Sequence, residues 1–101
     1  MSTAPTEATV VNNPAKLRFE LHVGDHVAFA QYMLPKGKIV FTHTEVPIGL
    51  EGQGFGSKLA HAGLQYARDN ELVVIPLCPF IASFIRRHAE YQPLVMRGYR
   101  Y

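Results

Sequence analysis

The chain has 101 residues, of which 48% are hydrophobic and 18% are charged, and its formal net charge is +2. This length and apolar content predict one small domain with a single core, and they argue against disorder. The weak charge gives no basic face for nucleic acid, and no apolar run approaches the roughly 20 residues that span a bilayer, so we expect neither kind of partner.

The N-terminal segment, residues 1–14, is polar and is predicted to be a flexible tail. It lacks the basic and apolar segments of a secretory signal, and the single cysteine, Cys78, excludes an internal disulfide. The expected compartment is therefore the cytoplasm. We predict that the domain covers residues 15–95. A second tail is expected at 96–101, because little periodicity is present from Tyr91 onward.

Three strands are predicted in the first half of the chain. Apolar and polar side chains alternate over residues 17–23, which is the period of a half-buried strand. The Gly24-Asp25 pair suits a type II′ hairpin turn, and a second strand is predicted over 27–34. A turn at Pro35–Gly37 then leads to a third strand over 39–46. Together these segments predict an antiparallel three-strand meander.

The period changes in the second half. Apolar residues recur at helical spacing from Phe55 to about Asn70, and residues 72–75 form an apolar run typical of a buried strand. A second helix is predicted over 80–88, after Pro79. The third strand, the first helix and the 72–75 strand predict a right-handed, parallel βαβ unit. The expected fold class is therefore α+β, or mixed α/β.

A glycine-rich loop, residues 52–57, precedes the first helix and is the strongest functional signal. Its alternating Gly52, Gly54 and Gly56 leave backbone N–H groups uncovered at a helix N-terminus, an arrangement that binds phosphate or pyrophosphate. Walker A and dinucleotide-binding loops both need another residue at Ser57, so neither matches. A tight turn that binds nothing would explain one of the glycines better than three.

The chain resembles the GCN5-related N-acetyltransferases. Residues 46–56 resemble their acyl-CoA motif, Gln/Arg-x-x-Gly-x-Gly/Ala. The segments HTEVP at 43–47, EGQGFGSKL at 51–59 and PLCPF at 76–80 are similar to those of a minimal subfamily of about one hundred residues. The resemblance spans roughly residues 17–95 and implies a minimal acetyltransferase fold.

The resemblance also implies a cofactor, acetyl-CoA or coenzyme A, and the residues that bind it. Backbone groups of Val46, Pro47 and Ile48 would pair with the pantetheine amides. The pyrophosphate would lie on the loop formed by Gly52, Gln53, Gly54, Phe55, Gly56 and Ser57, with Lys58 as its cationic neighbour. The implied function is acetyl transfer from the CoA thioester to an unidentified amine, either a small molecule or a protein.

Three departures from the family pattern support alternative functions. Glu51 replaces the usual Gln or Arg, and we expect its carboxylate to point away from the ligand. Only Gly24-Asp25 connects the first two strands, where the family usually has two helices that form the acceptor site. The usual tyrosine acid would fall near Ile85 or Arg86, and nearby Tyr91 is its only candidate substitute. The alternatives are a CoA-binding regulatory module with little or no turnover and a small interaction domain.

Candidate catalytic residues are Cys78, His43 and Glu45. Cys78 follows the 72–75 strand at a helix start, which favours the thiolate, so it either carries the acetyl group transiently or lines the acyl pocket. A buried, inert cysteine is the alternative. His43 and Glu45 are expected on the same strand face as Ile39 and Phe41. There they could act as general bases, unless they serve only structural or solvated roles.

No metal site is predicted, because His22, His26 and His43 have no acidic or cysteine partner at ligand spacing. The sequence does not name the amine acceptor. We expect a monomer or a weak homodimer.

Overall fold

Five strands form one sheet in their order along the chain: β1 (Val10–Asn13), β2 (Arg18–Val23), β3 (His26–Met33), β4 (Lys38–Glu45) and β5 (Val73–Pro76). The structure, a computed structural model, describes residues 9–101. Neighbouring strands are antiparallel except β4 and β5, which are parallel. The pairing therefore changes from antiparallel to parallel at β4 and β5, where the two halves of the chain meet.

The predicted meander is confirmed in β2, β3 and β4. Val23 pairs with His26 across a two-residue turn, and Gly24 has a φ of 58°, as the first central position of a type II′ turn requires. In the next turn Gly37 has a φ of 75°, and the Lys38 N–H donates to the Pro35 carbonyl. Both turns therefore use glycine where the backbone enters the left-handed region.

Within residues 9–101 the sheet is accompanied by two α-helices and a 3₁₀ helix: α1 (Phe55–Asp69), α2 (Pro79–Arg87) and the 3₁₀ helix Ala89–Leu94. The parallel pairing of β4 and β5 on either side of α1 confirms the predicted parallel βαβ connection, whose hand stays a prediction. The side chains of α1 that were predicted at helical spacing are buried. The mixed α+β class is confirmed.

One hydrophobic core joins the sheet to the helices. Its largest fully buried side chains come from β3, β4, α1 and the 3₁₀ helix: Tyr32, Phe41, Phe55 and Tyr91. A Cβ built on Gly63 of α1 would lie 2.8 Å from Cε1 of Phe41. The Phe41 ring therefore packs directly on the backbone of α1, which brings the helix close to β4.

The structure differs from the prediction at the N-terminal end of the described chain. Residues 10–13, which fall in the predicted tail, form β1, and Asn12 Oδ1 accepts a hydrogen bond of 2.6 Å from the Tyr32 hydroxyl. Residues 1–8 of that predicted tail lie outside the described residues. Near the C-terminus Tyr91 is fully buried in the 3₁₀ helix, where the sequence showed no period.

A buried carboxylate lies on the sheet face opposite the core. Glu20 is 6% exposed and accepts hydrogen bonds from Arg18 Nε at 2.6 Å and Asn13 Nδ2 at 3.2 Å, with His22 Nε2 at 3.1 Å. The hydrogen bond from Arg18, helped by those from His22 and Asn13, outweighs burial and lowers the pKa of Glu20. The ionised form is therefore favoured in the folded state.

Glu20 should make the folding stability depend on pH. Because its folded pKa is lowered, its stabilising contribution is complete above the unfolded pKa near 4.5 and is lost as the pH falls through the folded value. We expect Glu20→Gln to lower the free energy of unfolding by about 1–3 kcal/mol at pH 7 and to flatten its decline in acid. Urea unfolding between pH 7 and acid measures both, with exposed Glu90→Gln as the control. An unchanged acid slope in Glu20→Gln would contradict this account.

Candidate active site

A β-bulge in β4 decides which side chains face the core near the end of the strand. Tyr32 pairs with Phe41, but the preceding residue Gln31 pairs with His43. Thr42 is therefore an extra residue of β4 that is opposite no residue of its own in β3. A bulge of this kind reverses the alternation of faces from that point on. Thr44, which pairs with the buried Ala30, consequently lies on the core face.

The prediction that His43 and Glu45 share the face of Ile39 and Phe41 is wrong, because the bulge separates the two pairs. His43 and Glu45 lie on the opposite, exposed face, where His43 Nε2 and Glu45 Oε1 are 3.2 Å apart and both side chains are more than half exposed. The ring of His43 also approaches Phe29 on that face. His43 and Glu45 therefore contact each other on the exposed face of β4, and neither lies on its core face.

A cleft lies between the end of β4, the glycine loop and α2, beyond the last paired residues of β4 and β5. Their pairing ends at Phe41 and Pro76, and the Cys78 N–H donates to the Phe41 carbonyl at 2.9 Å just beyond it. The cleft has a volume of about 450 Å³. Six of the residues predicted to hold the cofactor line it: Val46, Gly52, Gly54, Phe55, Gly56 and Ser57. The structure therefore gathers most of the predicted binding loop around one opening.

The other predicted binding residues lie outside the lining of this cleft as the described residues form it. Ile48 is 91% exposed, and the Pro47 carbonyl accepts a hydrogen bond from the Leu50 N–H. The Gln53 side chain donates to the Gly49 carbonyl at 3.4 Å, and Lys58 lines a neighbouring groove. These four residues support or flank the loop. Glu51, in contrast, lines the cleft, although the sequence predicted that it would point away.

The glycine loop presents an uncapped helix end to the cleft. Gly52 and Gly54 have φ values of 80° and 81°, and a Cβ on either would meet no atom within 4 Å. Gly54 is the N-cap of α1, no side chain caps this end, and the first turn contains no acidic residue. Lys58 is the first residue whose N–H donates to an intrahelical carbonyl, that of Gly54. The preceding N–H groups are therefore available to an anion.

The third glycine of the loop has a packing role. A Cβ on Gly56 would lie 2.7 Å from Cζ of Phe80, so the aromatic ring rests on the backbone of the first turn of α1. Phe80 is 37% exposed and lines the cleft from the α2 side. The contact lets an apolar wall stand directly beside the anion-binding helix end. Such a combination suits a ligand that has both an apolar chain and a phosphate group.

Cys78 lies one side chain away from the cleft. It is the N-cap of α2 and 3% exposed, and its Sγ is 3.4 Å from Oγ1 of Thr44, which lines the cleft. The thiol is therefore buried behind the Thr44 hydroxyl. Sequence reasoning missed Thr44 and Phe80. The HTEVP segment contains Thr44 and the PLCPF segment contains Phe80, and both segments drew attention only as family markers.

Tyr91, the candidate substitute for a tyrosine acid, makes its side-chain hydrogen bonds with α1. Its hydroxyl is 2.8 Å from His61 Nδ1 of α1 and donates to Gln65 Oε1 at 3.4 Å. Burial raises the pKa of Tyr91. Its hydroxyl therefore takes part in the packing of the 3₁₀ helix on α1, and in the described part of the chain Tyr91 does not line the cleft.

Residues 9–101 contain neither a metal-binding cluster nor a helix that could span a membrane. No group of three or more His, Cys, Asp or Glu side chains lies in an arrangement that could hold a metal ion. None of the helices is both long and apolar enough to cross a bilayer.

Comparison with known proteins gives one family. The family described as GCN5-related N-acetyl-transferase matches residues 18–94, which is most of the chain and includes the cleft, the glycine loop and the Phe80 wall. No curated protein matches the chain. The chain belongs to the GCN5-related N-acetyltransferase family.

Proposed function

We propose that this protein transfers an acetyl group from acetyl-CoA to an amine, with the thioester bound in the cleft between the end of β4, the glycine loop and α2. The observation that carries the proposal is the uncapped N-terminus of α1, which opens into the cleft beside an apolar wall. An anion receptor and an apolar surface together match a pyrophosphate joined to a pantetheine chain. Family membership supplies the reaction class.

Apart from Glu51, whose carboxylate would repel a pyrophosphate and has to turn out of the cleft, the residues present fit this ligand. In the proposal the loop from Gly52 to Ser57 holds the pyrophosphate through backbone N–H groups. Val46, Leu50 and Phe80 supply apolar contact for the chain. The family resemblance implies that backbone groups of Val46, Pro47 and Ile48 pair with the pantetheine amides. Of these three residues only Val46 lines the cleft within the described chain, so the proposal assigns the pairing to Val46. The bound thioester supplies an activated acetyl group, and a strand N–H near Val46 stabilises the oxyanion.

We further propose that Cys78 carries the acetyl group in one route. Its thiolate attacks the thioester carbonyl, the C–S bond to CoA breaks, and CoA leaves as a thiolate. The neutral amine then attacks the acetyl-cysteine, the thiolate of Cys78 leaves, and the amine loses its proton to solvent. The support is the position of Cys78 at a helix start, 3.4 Å from the cleft-lining Thr44, whose side chain has to move aside.

The Cys78 route predicts a covalent acetyl group that depends on one residue. After brief incubation with acetyl-CoA, intact-protein mass spectrometry should detect one added acetyl group in the native protein and none in Cys78→Ser. Thr44→Val keeps the shape of the side chain that covers the thiol, so it should retain the acetyl group. Unchanged acetylation and unchanged CoA release in Cys78→Ser would remove Cys78 from the mechanism and leave direct transfer.

A second candidate function is a CoA-binding regulatory module without efficient turnover. The positions of His43, Glu45 and Tyr91 favour it, because none of them lines the cleft within the described chain. A thiol-reactive dye that reports free CoA separates the two functions across a panel of primary amines. Amine-dependent, multiple-turnover release supports the enzyme. Acetyl-CoA binding without release by any amine supports the module.

A further inference from the structure

The sheet face opposite the hydrophobic core, which we call the outer face, carries a row of apolar side chains. Met33 of β3 pairs with Val40 of β4, and Val40 pairs with Ile75 of β5. Each of the three directly follows a core residue in its strand, so all three lie on the outer face. Ile75 is buried although it lies outside the core cluster, whereas Met33 is more than half exposed. The outer face therefore presents an apolar surface where an uncovered sheet usually has polar side chains.

The β4 strand carries opposite charges at its two ends on this face. Lys38 lies two residues before Val40, and the bulge at Thr42 places Glu45 on the outer face as well. At about 3.3 Å per residue the two charges are about 20 Å apart, beyond the Debye length of about 8 Å at physiological salt. Within residues 9–101 Lys38 takes part in no salt bridge, and Glu45 contacts only the exposed His43 in this way. The charges of Lys38 and Glu45 therefore do not compensate each other within one chain.

The order of side chains along β4 is complementary to itself. Its outer face presents Lys38, Val40, His43 and Glu45 in that order. A two-fold axis that lies in this face and crosses β4 at its midpoint would pack β4 antiparallel on β4 of a second copy. The Lys38 ammonium would then meet the partner's Glu45 at each end, and Val40 would pack on the partner's His43 ring. The charges of the outer face are therefore complementary to those of a second copy in this orientation.

We propose that two copies of this chain form a homodimer through their outer faces, with β4 antiparallel to the partner's β4. The row of Met33, Val40 and Ile75 supplies apolar contact between two aligned sheets. Two Lys38–Glu45 ion pairs between the copies fix the register and the orientation. A second copy suits the face better than a partner of uniform charge, because such a partner would meet a like charge at one end of β4.

The proposed dimer leaves the cleft of each copy open. Thr44 and Val46 line the cleft, whereas Glu45 between them lies on the outer face with His43. The two surfaces are therefore on opposite sides of the end of β4. The inference does not rest on the proposed function, and either one can fail without the other.

Sedimentation equilibrium over a range of protein concentrations tests for the dimer. The native protein should show a reversible monomer–dimer equilibrium that shifts towards the monomer as salt is raised, because the ion pairs at the rim are screened. A native protein that remains monomeric up to about 1 mM would overturn the inference, since even a dissociation constant of that size would populate the dimer.

Exchange of the two charges tests the orientation of the dimer. Lys38→Glu and Glu45→Lys should each weaken dimerisation about tenfold, because each change turns two ion pairs into like-charge contacts. Lys38→Glu combined with Glu45→Lys should restore dimerisation to within about threefold of the native value, since the pairs form again with exchanged signs. Rescue reports on contact between copies, because the two positions are too far apart to interact within one chain.

A charge reversal away from the outer face is the control for these variants. Glu90→Lys changes an exposed residue of the 3₁₀ helix and should dimerise as the native protein does. Native dimerisation in both single variants would overturn the inference. A combined variant that dimerises more weakly than either single variant would overturn it as well, because the two charges would then act independently.

Discussion

Gly54→Val is expected to weaken acetyl-CoA binding by roughly 100-fold. The change places a branched side chain at the N-cap of α1 and obstructs the N–H groups that face the cleft. Losing about two hydrogen bonds to a charged phosphate, each at about 1.5 kcal/mol, the lower end of the range for such bonds, corresponds to a loss of that order. The positive φ of 81° also strains valine, which should destabilise the fold by about 1–2 kcal/mol.

A matched control separates the strain from the loss of binding. Gly24 also has a positive φ, 58°, and also has open space where a Cβ would stand, but it lies in the β2–β3 hairpin. Gly24→Val should therefore lose similar stability and keep native affinity in calorimetric titrations with acetyl-CoA. If both variants bound acetyl-CoA as well as the native protein does, the loop would not be the phosphate site.

Phe41→Ala is expected to lower the free energy of unfolding by about 3–5 kcal/mol. Phe41 is fully buried, packs on the backbone of Gly63 in α1, and lies at the last paired position of β4 with β5. A domain of this size has a total stability of about 5–15 kcal/mol, so the change removes a large share of it. Urea unfolding followed by circular dichroism measures the loss.

Phe29→Ala is the control for Phe41→Ala, because it removes the same side chain from the opposite face of the sheet. Phe29 is half-buried and contacts Arg18 and His43 at the surface. Phe29→Ala should lower the free energy of unfolding by less than half as much as Phe41→Ala, because the half-buried ring of Phe29 buries less apolar area. Equal losses in the two variants would contradict the placement of the core on the α1 side of the sheet.

The regular elements could be predicted from the sequence because each has its own hydrophobic period. Alternation marked β2, helical spacing marked α1, and a short apolar run marked β5. The β1 strand could not be predicted, because VVNN is too short to show a period and lies in a polar segment, and its order comes from pairing with β2 and from the Asn12–Tyr32 hydrogen bond. The 3₁₀ helix that buries Tyr91 could not be predicted, because its period of about three residues matches neither the alternation of a strand nor the spacing of an α-helix.

The candidate site could be predicted in part. Glycine spacing identified the anion-binding helix end, because the backbone chemistry of the loop follows from the residue type alone. The orientation of β4 side chains could not be predicted, because Thr42 can occupy either a strand position or a bulge. That single extra residue moves Thr44 to the cleft and His43 to the exposed face. The Gly56–Phe80 contact likewise joins residues from different elements and has no local signal.

Amide chemical-shift mapping by NMR tests most directly whether acetyl-CoA binds in this cleft. In the isotope-labelled protein the account predicts that acetyl-CoA shifts the amide signals of residues 52–58 most strongly, with further shifts at Thr44, Val46 and Phe80. The signals of His22 and Met33, which lie outside the cleft lining of the described chain, should stay in place. An unchanged spectrum, or shifts confined to the exposed face of the sheet, would contradict the account.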